Sequence, residues 1–134
     1  MIKKRMANKL SQSKLVLYQP DSTVAVEVRV EDENVWLNRQ QISVLFDRDI
    51  KTIGKHINNA LNEELAIFST VAKFATVGEE KGENPVVANF ATTATNGKVY
   101  QMEYYNLDVI LSVGYRVKSN RGIQFRIWAN RVWN

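Results

Sequence analysis

No cysteine occurs among the 134 residues. That single absence excludes disulfides, thiolate metal sites and cysteine nucleophiles together. Histidine is nearly absent too, with His56 the one copy, so a metal site would have to be built from carboxylates. The carboxylates do not help. Glu63-Glu64 and Glu79-Glu80 are adjacent pairs, and neighbours on a helix do not face one another. They read as solvated surface. No phosphate-binding glycine loop and no serine-hydrolase elbow is present. These gaps point to a noncatalytic protein without a cofactor. Long apolar runs are missing as well. Charges interrupt each run well short of the roughly 18 residues that a membrane helix needs. The basic start Met1 to Met6 leads into no apolar stretch of the kind a secretory signal carries. The expectation is a cytoplasmic protein.

What is present suits one folded unit. The apolar fraction is 45%, ordinary for a globular chain and too high for a disordered one. A chain of this length can bury a core without disulfides or a structural metal. The formal net charge of +4 tilts towards anionic partners such as nucleic acid.

Residues 1–13 are basic and polar and read as a flexible arm. Residues 14–134 read as a single domain. Lys14 to Tyr18 suits a short strand, with a turn at Gln19-Pro20-Asp21-Ser22. Val24, Val26, Val28 and Val30 alternate with Ala25, Glu27 and Arg29, the period of a half-buried strand. Val35-Trp36-Leu37 would close a hairpin with it. Strands are expected again at Thr70 to Val77 and Val86 to Thr95. Asn96-Gly97 then makes a hairpin turn into Lys98 to Tyr104. Val71 to Thr76 closely echoes Val87 to Thr92, as similar strands of one small sheet would. A helix is expected to start at Leu107, with Asn106 as cap. Ile123, Ile127 and Val132, with Phe125 and Trp128, point to a final helix.

The functional signal lies at Asn38 to Leu61. Asn38 is a good N-cap and Gln41 completes a capping box, so a helix should run from about Arg39 to Phe46. A second should follow Asp49, from about Ile50 to Glu64. Ile42, Leu45 and Phe46 would bury the first helix, with small Ser43 where the helices approach. Ile53 and Ile57 would bury the second, and Gly54 would permit close contact. Asp47 stands where glycine is often found in such turns, and aspartate tolerates the left-handed conformation. This is the pattern of a helix-turn-helix, whose second helix reads the major groove. On its outer face stand Lys51, Thr52, Lys55, His56, Asn58 and Asn59. Lysine neutralises phosphate and asparagine pairs with adenine. Ile50 to Asn62 contains no acid that would repel phosphate. Lys51, Lys55 and Arg48 are the expected phosphate contacts. Thr52, His56, Asn58 and Asn59 are the expected base-edge contacts. The same residues also fit a plain helical hairpin with a solvated polar face.

A β-wing formed by strands around Phe74 and Tyr100 would complete the motif, although the acidic stretch Glu79 to Glu83 argues against that loop tip meeting DNA. From Val109 onward the chain has five basic residues, Arg116, Lys118, Arg121, Arg126 and Arg131, and no acidic one. Tyr115, Phe125, Trp128 and Trp133 interleave with them. A second nucleic-acid surface is one reading. A packed helix with core aromatics, its arginines solvated or paired with distant carboxylates, is the other and the preferred one.

Four runs resemble a known family. They are Asn38 to Leu61, Glu103 to Ile110 (Tyr-Tyr-Asn-Leu-Asp at its centre), Ser112 to Val117 (Gly-Tyr-Arg-Val), and Arg121-Gly122 with Phe125 to Ala129. Together they resemble the virulence-associated RhuM family, in its N-terminal part. The resemblance implies a bacterial DNA-binding protein of genomic islands, usually longer than this chain, so that the chain would be a fragment. The Arg-Gly-x-x-Phe-Arg-x-Trp run alone also resembles the N-terminal modules of phage antirepressors. The resulting expectation is an α+β, winged-helix-like module that binds duplex DNA. The alternative is a protein-interaction module that uses the basic, aromatic C-terminal region.

Overall fold

The structure is a computed structural model, and it describes residues 14–31, 33–65, 86–93 and 95–132. The expected basic arm, the strand at Thr70 to Val77, the acidic loop and the Val71 to Thr76 echo lie outside the described residues. Among those described, the chain forms five strands and four helices. They follow in the order β1 (Lys14–Asp21), β2 (Val24–Glu31), β3 (Asn34–Leu37), α1 (Arg39–Phe46), α2 (Ile50–Asn62), β4 (Val87–Thr93), β5 (Val99–Asn106), α3 (Leu107–Arg116) and α4 (Arg121–Val132). The fold class is α+β.

The strands make one antiparallel sheet in the order β1-β2-β3-β5-β4. The valine alternation of β2 does what its period predicts. Val24, Val26, Val28 and Val30 are buried, while Ala25 and Glu27 are exposed. The hairpin from β2 to β3 forms as expected, with Arg29 opposite Trp36 and Val30 opposite Val35. The join between the two halves of the sheet is short, with Trp36 opposite Asn106 and Leu37 opposite Tyr105.

The first turn differs from the expectation. Pro20 does not begin a turn but lies inside β1, next to a register shift between Tyr18 and Asp21. β1 is an edge strand, so a residue without an N–H is tolerated there. The turn moves to Ser22-Thr23. There the Asp21 carboxylate accepts from the Thr23 backbone N–H at 2.7 Å and from the Thr23 hydroxyl at 2.6 Å. Those bonds favour the ionised form and hold the Asp21 carboxyl below its ordinary pKa,.

One face of the sheet carries the main core. Val28, Val35 and Leu37 pack there with Ile42, Leu45 and Phe46 of α1, Ile53 and Ile57 of α2, Val109, Ile110 and Val113 of α3, and Phe125 of α4. Tyr18 reaches across to α4, its ring 5.1 Å from Phe125 and 4.9 Å from Trp128. A smaller cluster lies apart from that core. The Arg29 guanidinium sits over Phe90 at 4.5 Å and Tyr104 at 5.2 Å, and Trp36 meets Phe90 edge-on.

The last helix forms where expected, with Phe125 in the core and Trp128 and Val132 packed against it, but not all of its apolar residues are buried. Gly122, Phe125 and Ala129 face inward, while Ile123 and Ile127 are exposed. Apolar residues surround this helix, and period alone could not say which stripe would meet the core. Tyr18 and Phe46 decide it by occupying the space opposite Phe125 and Gly122.

Candidate nucleic-acid interface

α1 begins where its capping box dictates. The Asn38 side chain accepts from Gln41 N–H at 2.8 Å, and the Gln41 side chain accepts from Asn38 N–H at 2.9 Å. Two otherwise orphaned amides are satisfied this way. The helix stops at Asp47, whose φ of 54° is left-handed. Backbone bonds from Asp47 N–H to the Val44 carbonyl and from Arg48 N–H to the Ser43 carbonyl close the end. The Ser43 hydroxyl donates to the Arg48 carbonyl at 2.6 Å. Asp49 then caps α2, accepting from Lys51 N–H at 3.0 Å and from Thr52 N–H at 3.3 Å. Two helices joined through Asp47-Arg48-Asp49 are thus fixed by local chemistry at every step.

α2 buries Ile53, Gly54, Ile57 and Ala60. That leaves Lys51, Thr52, Lys55 and Asn58 exposed on the outside. Lys51, Lys55, Asn58 and Asn62 recur at intervals of three or four and so form one stripe. His56 and Asn59 stand at its margin and are half-buried. His56 Nδ1 is buried without a hydrogen-bond partner among the described residues. The Asn59 carbonyl accepts from Arg116 Nη2 at 3.4 Å.

Arg48 is placed differently from the α2 residues. Its Nη1 donates to the Phe46 carbonyl at 2.9 Å and the Asp47 carbonyl at 3.3 Å, and its Nη2 donates to the Val117 carbonyl at 3.1 Å. The guanidinium therefore ties the turn between α1 and α2 to the end of α3. It does not join the lysine stripe.

The two acids beyond α2 share one cation from another helix. Arg116 of α3 donates to Glu63 at 2.6 Å and to both carboxylate oxygens of Glu64. The hydrogen bonds from Arg116 hold the Glu64 carboxyl below its ordinary pKa,. Glu63 and Glu64 remain at the surface, and both share the single Arg116 cation.

Arg39 is a basic residue that the sequence reading passed over as a mere helix start. A methyl group at Gly54 would stand 2.9 Å from Arg39 Nη1. The space over Gly54 thus belongs to the Arg39 side chain. Arg39 also lines a cleft of about 360 Å³ with Gln40, Ile50, Gln101, Met102 and Glu103. This cleft separates the helix pair from the β4–β5 hairpin. Asn38 Nδ2 donates to Met102 Sδ at 3.3 Å beside it. Tyr105 donates to Glu103 at 2.8 Å, and burial is the main cause that raises its phenol pKa. The mid-helix glycine is the sequence's own sign of a long side chain lying over α2.

Among the described residues no helix is long and apolar enough to cross a membrane, and no group of three or more His, Cys, Asp or Glu could hold a metal ion. The chain is an α+β protein built on a five-stranded antiparallel sheet with four helices among the described residues. Residues 85–134 match the model of the virulence protein RhuM family. The resemblance read from the sequence therefore stands, but over the C-terminal part of the chain rather than the N-terminal part. No curated protein and no solved structure matches the chain.

The matched segment shows what its motif residues do. Tyr104 and Tyr105 are buried, and the Asn106 side chain caps α3 by accepting from Val109 N–H at 3.3 Å. A methyl group at Gly114 would stand 2.9 Å from Phe46 Cζ. Arg121 Nη1 donates to the Leu45 carbonyl at 3.0 Å. Most of this motif holds the helices together. Tyr115 stands outward at 83% exposed, and Asp108, Arg126 and Ile127 of the same runs are exposed as well.

Proposed function

We propose that the protein binds duplex DNA through α1 and α2 acting as a helix-turn-helix, with α2 in the major groove. The observation that carries this reading is the outer stripe of α2. It presents Lys51, Lys55 and Asn58 with Thr52 beside them, and the nearby acids Glu63 and Glu64 are tied to Arg116. Lys51 and Lys55 contact phosphates, and Thr52 and Asn58 reach base edges. His56 and Asn59 contribute at the margin. Arg48 serves as the brace behind the turn. The β4–β5 hairpin, with Lys98 exposed near its tip, is the candidate wing across the cleft from α2. In this reading the protein is noncatalytic.

The test is a titration of a labelled random-sequence duplex, followed by anisotropy at several salt concentrations. Each phosphate that the protein neutralises adds about 0.9 to the downward slope of log affinity against log salt. In Lys51→Gln/Lys55→Gln the slope becomes shallower by roughly 1.8, and affinity drops about tenfold or more at physiological salt. Equal affinity and equal slope in wild type and variant would remove α2 from the interface.

A further inference from the structure

We infer that the groove between α3 and α4 docks a short acidic protein segment anchored by one apolar or aromatic side chain. The groove measures about 610 Å³, within the range of built binding clefts. It exists because two glycines meet. Gly114 and Gly122 let the helices approach closely, with Phe46 filling the core side of the crossing. Leu111 completes a bare apolar floor. Tyr115 and Ile123 line the groove and point away from the core, at 83% and 57% exposed. Neither side chain makes a hydrogen bond or ring contact among the described residues.

The charge around this floor has one sign. Lys118 and Arg126 line the groove, and no acid occurs anywhere from Val109 onward. These two cations differ from Arg116 and Arg121 beside them. Arg116 is committed to Glu63 and Glu64, and Arg121 to the Leu45 carbonyl. Lys118 and Arg126 are exposed. An exposed aromatic, an exposed isoleucine and a free arginine around a shallow apolar slot match the composition of protein interfaces, where aromatics and arginine are enriched. A phosphate backbone fits this site poorly. It would gain from two cations but would lay charge against the apolar floor, whereas DNA contacts are made mostly by polar and basic groups. An acidic segment with one apolar anchor satisfies both features at once. The inference does not depend on DNA binding by α2.

The full chain is immobilised and offered a displayed library of random dodecapeptides, with a parallel selection on Ile123→Glu. Sequences that pair Asp or Glu with Phe, Trp or Leu are expected to enrich on wild type alone. A synthetic peptide of the enriched consensus should lose about tenfold or more of its affinity on Ile123→Glu and on Arg126→Glu, as loss of an anchor or its charge partner does. It should keep its affinity on Lys51→Gln/Lys55→Gln. All the substituted groups are exposed, and a circular dichroism melt confirms that each variant is folded. The inference falls if nothing enriches on wild type over the variant, if the consensus lacks acids, or if the peptide binds Ile123→Glu unchanged. It falls equally if Tyr115→Ser/Ile123→Ser loses duplex affinity with the α2 lysines intact, because the face would then belong to DNA.

Discussion

The two helix pairs use positive charge in opposite ways. On α2 the lysines stand outward while the buried stripe is wholly apolar or small. On α3 and α4 two of the arginines turn inward, to carboxylates and a backbone carbonyl, while Tyr115, Ile123 and Ile127 stand outward. A count of basic residues therefore misleads. The C-terminal segment has the more one-sided sequence charge, yet much of that charge serves packing. Arginine suits this use because its planar fork can satisfy several acceptors at once.

The sharpest way to probe the difference is at the glycines of the two pairs. Gly114 faces the ring of Phe46, which is fully buried and cannot yield. Gly114→Ala should destabilise by about 1–3 kcal/mol, the usual cost of overpacking, read as a lower urea midpoint at unchanged slope. An unchanged midpoint would mean that α3 shifts freely over α1. Next in size is the cap of α1. Asn38→Ala removes the acceptor for Gln41 N–H and should cost about 1 kcal/mol, seen as a lower melting temperature.

Gly54→Ala should go the other way. The atom in its path is the far end of the flexible Arg39 side chain, and alanine is favoured over glycine in a helix by up to about 1 kcal/mol. The expected result is a stability equal to or slightly above wild type. A loss comparable to that of Gly114→Ala would show that Arg39 is held rigidly in place.

The smallest expected effect concerns the exposed ion pairs of Arg116. Glu64 has its carboxyl depressed in the fold. Its contribution is therefore present above the ordinary glutamate pKa and is lost as pH falls through the folded value. Wild type should exceed Arg116→Gln slightly at neutral pH, and the two stability curves should converge in acid. Curves that stay parallel down to the acid limit would exclude the pairing.

Local chemistry was the legible part of this fold. The capping box at Asn38 and Gln41 placed the start of α1, and Asp49 placed the start of α2. The β2 alternation gave its buried face directly. What escaped was most of the detail set by distant partners. Arg48 looks like a phosphate ligand in sequence, but it reaches a carbonyl 69 residues away. Ile123 and Ile127 look like core until Tyr18 and Phe46 claim the other side of α4. The pairing of β3 with β5 rests on two residues from each strand and leaves no periodic trace. At the candidate interface the α2 stripe was visible because helical spacing alone defines it. That an arginine of the C-terminal segment would pair with distant carboxylates was expected, but which acids it would meet was not visible, since that needs the packing of α3 on α2.

The Arg48 brace has a consequence for shape. One rigid plane of donors joins the carbonyls of Phe46 and Asp47 to that of Val117, so the turn that leads into α2 is anchored to the end of α3. In the proposed complex a duplex on α2 would meet a surface anchored in this way, and mismatch would be absorbed by bending the DNA. Sequences that bend easily would then be preferred even at positions that no side chain touches.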